Sequence, residues 1–223
     1  MNSPPIALLA GATGAVGARL LARLLGRDDG PRVLAVGRRP PPRRHARLEW
    51  LQAELEDLED ALSGRSFDQA FCCLGTTMKR AGSRDAFRAV DLDGVTAFAR
   101  AARAGGAGFF GLVSAAGADP QSRNFYLRTK GEAEAALEAL GFPSLAIMQP
   151  GLLRGERDEF RAGERLGQAA APLLDRVLLG PLARYRSVAI DAVAAALEVA
   201  ARRRAPGVHR YDSPAIEALA REP

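Results

Sequence analysis

The chain has 223 residues, 48% apolar and 26% charged, a balance that suits a globular protein with one sizeable core and leaves little room for a second. Its apolar runs fall far short of the roughly 20 residues a membrane-spanning helix needs, and Met1–Pro5 lacks the basic start of a secretory leader, so a cytoplasmic protein without a membrane partner is expected. The formal net charge of +5 rests almost wholly on arginine, with Lys79 and Lys130 the only lysines; no helix-turn-helix, zinc or aromatic RNA-binding pattern accompanies it, so nucleic acid is not an expected partner.

Strand-like and helix-like segments alternate along the chain, which predicts an α/β fold: a single Rossmann-type, doubly wound parallel sheet spanning residues 1–223, with a small C-terminal substrate-side extension. Ile6–Ala10 reads as a buried strand and Ala15–Leu25 as the helix after it. Val33–Val36 is the second strand, followed by a proline-rich loop, a short strand at Leu48–Leu51 and a short acidic helix at Leu55–Leu62. Phe67–Leu74 is predicted as a strand, Ser83–Arg103 as one long helix with its C-cap at Gly105-Gly106, and Phe109–Ser114 as the next strand. A helix over Tyr126–Leu140 and a strand over Leu145–Met148 follow. Residues 151–186 are rich in charge, glycine and proline and predict an irregular segment holding one helix; after a late strand, this is where a substrate pocket is built in open α/β sheets. Asp191 is the expected N-cap of a helix to Arg203, Val208–Tyr211 a last strand, and Ser213-Pro214 the start of a final helix.

The first strand runs into Gly11-Ala12-Thr13-Gly14-Ala15-Val16-Gly17, directly before a helix. In that context the three glycines serve a tight turn, a close approach to a pyrophosphate, and close helix–strand packing. The helix N-terminus adds free N–H groups and partial positive charge. NAD-preferring sites place an acid after the second strand to hold the ribose 2′-hydroxyl. Here that position is Gly37-Arg38-Arg39, and a guanidinium pairs with a 2′-phosphate instead. NADP(H) is therefore the expected cofactor.

Ser114 closes one strand, and Tyr126 and Lys130 follow at a spacing that puts them on one helix face. About 0.03 such Tyr–Lys pairs are expected by chance in this composition. A free phenol, with a pKa of about 10, is a poor base near neutrality; a nearby ammonium and an oxidised nicotinamide both favour the phenolate. Tyrosine then moves a proton to or from a carbonyl or alcohol oxygen while hydride passes to or from the cofactor. His45 and His209 are isolated, so no metal site is expected, and the adjacent Cys72 and Cys73 read as apolar packing in a strand.

On these residues the chain resembles the short-chain dehydrogenase/reductase superfamily, in its atypical and extended branch, and within it the Tat-interacting-protein-like oxidoreductases and their bacterial relatives. The resemblance covers most of the chain and rests on Gly11–Gly17, Gly37–Arg39, Phe71–Thr77, Val113–Asp119, Tyr126–Glu132 and Gln149–Leu153. It implies that Thr13, Gly14, Ala15 and Val16 contact the pyrophosphate and that Arg38 and Arg39 hold the 2′-phosphate. By the same resemblance Leu74 and Gly75 line the adenosine side, Pro150, Gly151 and Leu152 meet the nicotinamide end, and Arg157 reaches the cofactor. Ser114, Tyr126 and Lys130 would be the catalytic set. Extended members often carry an asparagine in the helix after the fourth strand; the corresponding stretch here is Val90-Asp91-Leu92-Asp93-Gly94, which leaves an asparagine relay without its residue. The implied function is an NADP(H)-dependent oxidoreductase acting on a small-molecule carbonyl or alcohol, as a monomer or homodimer. The alternatives are a nucleotide-sugar-epimerase-like enzyme, or an NADP(H)-binding regulatory protein with little turnover, as eukaryotic members are discussed. The intact Ser–Tyr–Lys set favours the enzyme.

Overall fold

A computed structural model describes residues 4–155 and 178–222. Among them the strands β1 (Ile6–Ala10), β2 (Arg32–Gly37), β3 (Leu48–Gln52), β4 (Gln69–Cys72), β5 (Phe109–Val113), β6 (Ser144–Gln149) and β9 (Gly207–Asp212) form one seven-stranded sheet in the order β3-β2-β1-β4-β5-β6-β9. Every neighbouring pair in it is parallel. A separate two-stranded ladder joins β7 (Leu153–Arg154) to β8 (Val188–Ala189). The order reverses between β1 and β4, so the crevice beyond the carboxyl ends of these strands is the expected ligand position.

Helices cover both faces of the sheet, which is why its strands read as near-continuous apolar runs. On one face, Leu9, Phe71 and Phe109 pack with Leu20 and Leu24 of α1 (Ala15–Gly26) and with Val193 and Leu197 of α7 (Ile190–Arg203). On the other, Leu8, Ala70 and Phe110 pack with Leu58 and Leu62 of α2 (Leu58–Leu62), Phe98 and Ala102 of α5 (Val95–Ala104) and Leu137 of α6 (Phe125–Ala139). Successive residues such as Leu8 and Leu9, or Phe109 and Phe110, divide between the two cores because strand side chains alternate. α1 and α7 are also joined by Arg23, whose Nε lies 2.5 Å from a carboxylate oxygen of the buried Glu198.

Several expected boundaries move. The predicted Phe67–Leu74 strand is ladder-paired only over Gln69–Cys72, because the chain beyond Cys73 turns away toward Asp91. A four-residue helix, α3 (Met78–Ala81), capped by Thr77, intervenes before the predicted long helix. That helix does start at its Ser83 cap, but it is α4 (Arg84–Arg88), a π turn over Ala89–Gly94, and α5. A π turn widens the helix locally, and here it delivers Asp91 to a fully buried position. Asp191 is not a cap: Ala189 holds that position and Asp191 sits in the first turn of α7, where its carboxylate meets the positive helix end and lies 3.5 Å from Arg19. α8 (Ser213–Ala220) is capped by Asp212, which accepts from the Ala215 N–H at 3.0 Å; the Ser213 hydroxyl is engaged elsewhere. Of the irregular segment, the described part holds β7 and a 3₁₀ turn at Gly180–Tyr185.

The loop from Ser114 to α6 is pressed against the helix at Gly131. A Cβ there would stand 2.3 Å from the Asp119 carbonyl carbon and from the Pro120 nitrogen. Gly131→Ala is expected to destabilise the protein by about 1–3 kcal/mol through overpacking, measured as a lower urea midpoint at unchanged slope.

Candidate active site

The nucleotide turn has little freedom to change. Gly11 has φ +79°, and a Cβ on it would lie 2.4 Å from the Cys73 carbonyl oxygen; one on Gly17 would lie 2.1 Å from the Gly11 oxygen. The Gly14 N–H donates to the Gly11 carbonyl at 2.9 Å, closing the turn. Gly14 caps α1 without a side-chain bond, and the first helical turn holds no acid. The first N–H groups of α1 are thus left for an outside acceptor. Thr13 and Gly14 are exposed at this mouth, Ala15 is half-buried, and Val16 and Gly17 are buried under it. Arg38 and Arg39 stand exposed just past the carboxyl end of β2. The backbone and charge of this edge fit a dinucleotide.

Leu74 and Gly75 leave β4 on the neighbouring strand. A Cβ on Gly75 would stand 3.4 Å from Asp91 Oδ1 and 3.6 Å from Lys130 Nζ, so this turn lies directly over the central charge pair. Lys130 Nζ is 2.7 Å from Asp91 Oδ1, and both side chains are buried. The second carboxylate oxygen, Oδ2, accepts from the Thr76 N–H at 2.8 Å. Burial alone would pull the Lys130 ammonium below its ordinary pKa; the Asp91 carboxylate, with a further contribution from Tyr126, outweighs it and leaves the pKa raised. Lys130 is therefore a fixed, buried positive charge.

Tyr126 lies one helical turn before Lys130 on α6, half-buried, its ring 5.6 Å from that of Phe87. Asn124 caps the helix by accepting from the Leu127 N–H at 3.2 Å. Ser114 follows β5 and is buried. Its Oγ donates to Oε1 of Glu134, a buried residue one turn beyond Lys130. Tyr126, Lys130 and Glu134 thus line one face of α6, and the Glu134 bond brings Ser114 to that face. Gln149 Nε2 donates to both Glu134 oxygens at 3.0 Å, and Arg210 Nε donates to Oε2 at 3.2 Å.

The expected nicotinamide-end residues are held from behind. The Pro150 carbonyl accepts from the Ala116 N–H at 2.9 Å. The Gly151 N–H donates to Ser213 Oγ at 2.9 Å, and the Ser213 hydroxyl in turn lies 2.9 and 2.8 Å from the Arg184 and Arg186 carbonyls. Leu152 is exposed. Arg157 lies outside the described residues. Asp91, Thr76, Glu134, Gln149 and Arg210 have no part in the sequence-derived set; Asp91 lies in the stretch where the resemblance suggests an asparagine, Thr76 and Gln149 fall within motifs that carry the resemblance, and Glu134 has a local signal in its spacing of four from Lys130. Cys72 and Cys73 are free thiols, and burial pushes both upward, Cys72 to about 12, which makes them unreactive packing groups.

Fold and site together define a Rossmann-type dinucleotide-binding protein with Ser114 just past the end of β5 and Tyr126 and Lys130 on one face of α6. The chain belongs to the NAD(P)H-binding family, whose model matches residues 11–174. It is 40% identical to Protein HTATIP2 of Rattus norvegicus over 162 residues, 71% of this chain and 66% of the rat protein. It is 33% identical to the mitochondrial protein fmp52 of Emericella nidulans over 179 residues, 76% of each chain. Among solved structures, MoeE5 in complex with UDP-glucuronic acid and NAD superposes with a TM-score of 0.71 at 18% identity, over 93% of this chain and 75% of that one. WbmH of Bordetella bronchiseptica in complex with NAD+ gives 0.70 at 16% identity, over 97% and 79%. At these identities the two structures share the fold.

Removing the partner of a buried charge is strongly destabilising. Asp91→Ala is expected to lower unfolding free energy by about 3–5 kcal/mol at pH 8. Because the Lys130 pKa is raised on folding, its contribution is fully present below its unfolded value of about 10.4 and is lost as pH rises through the higher native value. Denaturant melts in steps from pH 8 to 12 should show that loss in the wild type and not in Asp91→Ala.

Proposed function

We propose that the protein is an NADP(H)-dependent oxidoreductase that interconverts a small carbonyl compound and its alcohol. The observation that carries this reading is the buried, Asp91-paired Lys130 ammonium one helical turn from Tyr126, at the sheet edge that bears the glycine turn. When bound, the nicotinamide supplies or accepts the hydride. Tyr126 gives its phenolic proton to the carbonyl oxygen in reduction and takes it back from the alcohol in oxidation. Lys130, unable to leave its carboxylate, keeps positive charge beside the phenol in either direction. Ser114 orients the reacting oxygen, and Thr13–Val16, Leu74, Gly75 and Pro150–Leu152 frame the cofactor. The preference for NADP(H) over NAD(H) rests on Arg38 and Arg39, with no acid at the end of β2.

The intact site favours turnover over a purely regulatory, cofactor-sensing role. Some structural neighbours are titled as epimerases, such as a UDP-N-acetylglucosamine 4-epimerase; a fold alone does not transfer that reaction. The reading keeps the protein in the cytoplasm, as a monomer or homodimer. Among the described residues no helix is long and apolar enough to cross a membrane, whereas the fungal relatives are named as mitochondrial.

Tyr126→Phe is expected to lower turnover by about 10²- to 10⁴-fold while leaving the NADPH Kd within about twofold. Absorbance loss at 340 nm against a carbonyl panel and calorimetric titration check the two halves. Replacing Arg38 and Arg39 together with alanine should weaken NADPH by about 10- to 100-fold and NADH by much less. Equal loss for both cofactors contradicts the assignment.

A further inference from the structure

Among the described residues six large apolar side chains are exposed, and four of them belong to two short segments that touch. Leu152, 44% exposed, follows β6. Leu179 at 63%, Leu182 at 52% and Tyr185 at 38% lie in or beside the 3₁₀ turn at Gly180–Tyr185. Exposed apolar surface gathered in this way marks a ligand or partner site. A 3₁₀ helix has three residues per turn, so side chains at i and i+3 eclipse one another. Leu182 and Tyr185 therefore share one face of the turn. The Leu182 N–H donates to the Leu179 carbonyl at 3.2 Å, which carries the row back one step. The Arg184 guanidinium lies across the Tyr185 ring, 5.0 Å from its centroid, and steadies it.

Contacts place this row beyond the carboxyl ends of β5 and β6. A Cβ on Gly117, in the loop after β5, would stand 3.2 Å from Tyr185 Oη and 3.6 Å from Leu127 Cδ1. Tyr185 thus reaches the first turn of α6, at the residue next to Tyr126. A Cβ on Gly151, just after β6, would stand 2.5 Å from the Tyr185 carbonyl oxygen. Ser213 Oγ also ties the Gly151 N–H to the Arg184 and Arg186 carbonyls. The row is a wall already in place. Ligands of open parallel sheets lie beyond the carboxyl ends of the strands. The glycine turn occupies the β1 side of that edge, and this wall stands on the β5–β6 side.

We propose that this wall receives the apolar body of the substrate, so that the site takes carbonyl compounds bearing an extended alkyl or aryl group, with Leu182 and Tyr185 as specificity-determining residues. The inference rests on the oxidoreductase reading for what becomes of the carbonyl, and names the substrate class of that site. Covering the wall removes apolar surface from water on both partners without first ordering a loop.

The test uses the full chain saturated with NADPH and the straight-chain alcohols from 1-butanol to 1-octanol, which cannot react with a reduced cofactor. Calorimetric titration should give a Kd that falls by about two- to fourfold per methylene. Leu182→Ser and Tyr185→Ser should each weaken 1-octanol by about 5- to 10-fold and 1-butanol by less than about twofold, whereas Tyr185→Phe should leave the series unchanged. NADPH Kd and thermal midpoint report whether the variants fold. Aldehydes of the same lengths, reduced with NADPH, should show kcat/KM rising with chain length in the wild type and flattened in Leu182→Ser. Overturning results are a Kd indifferent to chain length, serine variants that keep the wild-type dependence, or serine variants that weaken 1-butanol as much as 1-octanol. Light scattering that shows Leu182→Ser losing self-association at unchanged alcohol affinity would assign the row to a second copy of the chain, and also overturns the proposal. If aldehydes are reduced with kcat/KM indifferent to length, this inference fails and the oxidoreductase reading stands. If 1-octanol binds as expected and the serine variants weaken it while no carbonyl compound is reduced, the apolar wall stands and the reading fails.

Discussion

The ion pair between Lys130 and Asp91 ties together three segments far apart in sequence: the turn after β4, the π turn between α4 and α5, and α6. Burying a lysine is costly unless its charge is met at short range. Here the carboxylate that meets it is itself held by a backbone N–H. The consequence is geometric as much as electrostatic. Lys130 cannot move without stranding Asp91, and Asp91 cannot move without opening the helix at Ala89–Gly94. Tyr126, rooted in the same helix and packed on Phe87, inherits that rigidity. So does the Gly75 turn, which crosses within a carbon's reach of both charges. The Gly75 turn and the Tyr126–Lys130 face of α6 are therefore parts of one braced unit.

Much of the architecture is written locally. Ile6–Ala10 and Phe109–Val113 are recognisable as buried parallel strands because both of their faces meet helices, and the glycine turn is recognisable because Gly11 and Gly17 sit where a Cβ would strike backbone. Tyr126 and Lys130 stand out through helical spacing in a chain that otherwise uses arginine. Choices settled by tertiary contact are less visible. The π turn follows from the pull of Lys130 and Thr76 on Asp91, partners that local periodicity does not reveal. Capping by Ala189 rather than Asp191, and by Asp212 rather than Ser213, turns on where those side chains find other partners. Asp191 faces Arg19, and Ser213 bridges Gly151 to the end of the 3₁₀ turn.

Glu134 shows the same division. In the sequence it is one glutamate in an alanine-rich helix. Its meaning depends on Gln149 from β6 and Arg210 from β9, which the parallel sheet brings alongside. The edge strand β9 thus does more than extend the sheet: it supplies the charge that lets a carboxylate be buried behind Ser114. Asp91, within the stretch where the resemblance suggests an asparagine, is paired with the lysine, whose charge is set by a carboxylate inside the protein.

The central claim is that this braced edge passes hydride between NADPH and a carbonyl carbon with Tyr126 handling the proton. Incubating the protein with NADPH deuterated at C4 and a carbonyl panel, followed by mass spectrometry of the alcohols formed, tests it most directly. The account predicts one deuterium on the carbinol carbon from one C4 face only, and none above background with Tyr126→Phe. Tight NADPH binding with no deuterium in any product, or equal labelling by the Tyr126→Phe variant, would contradict it.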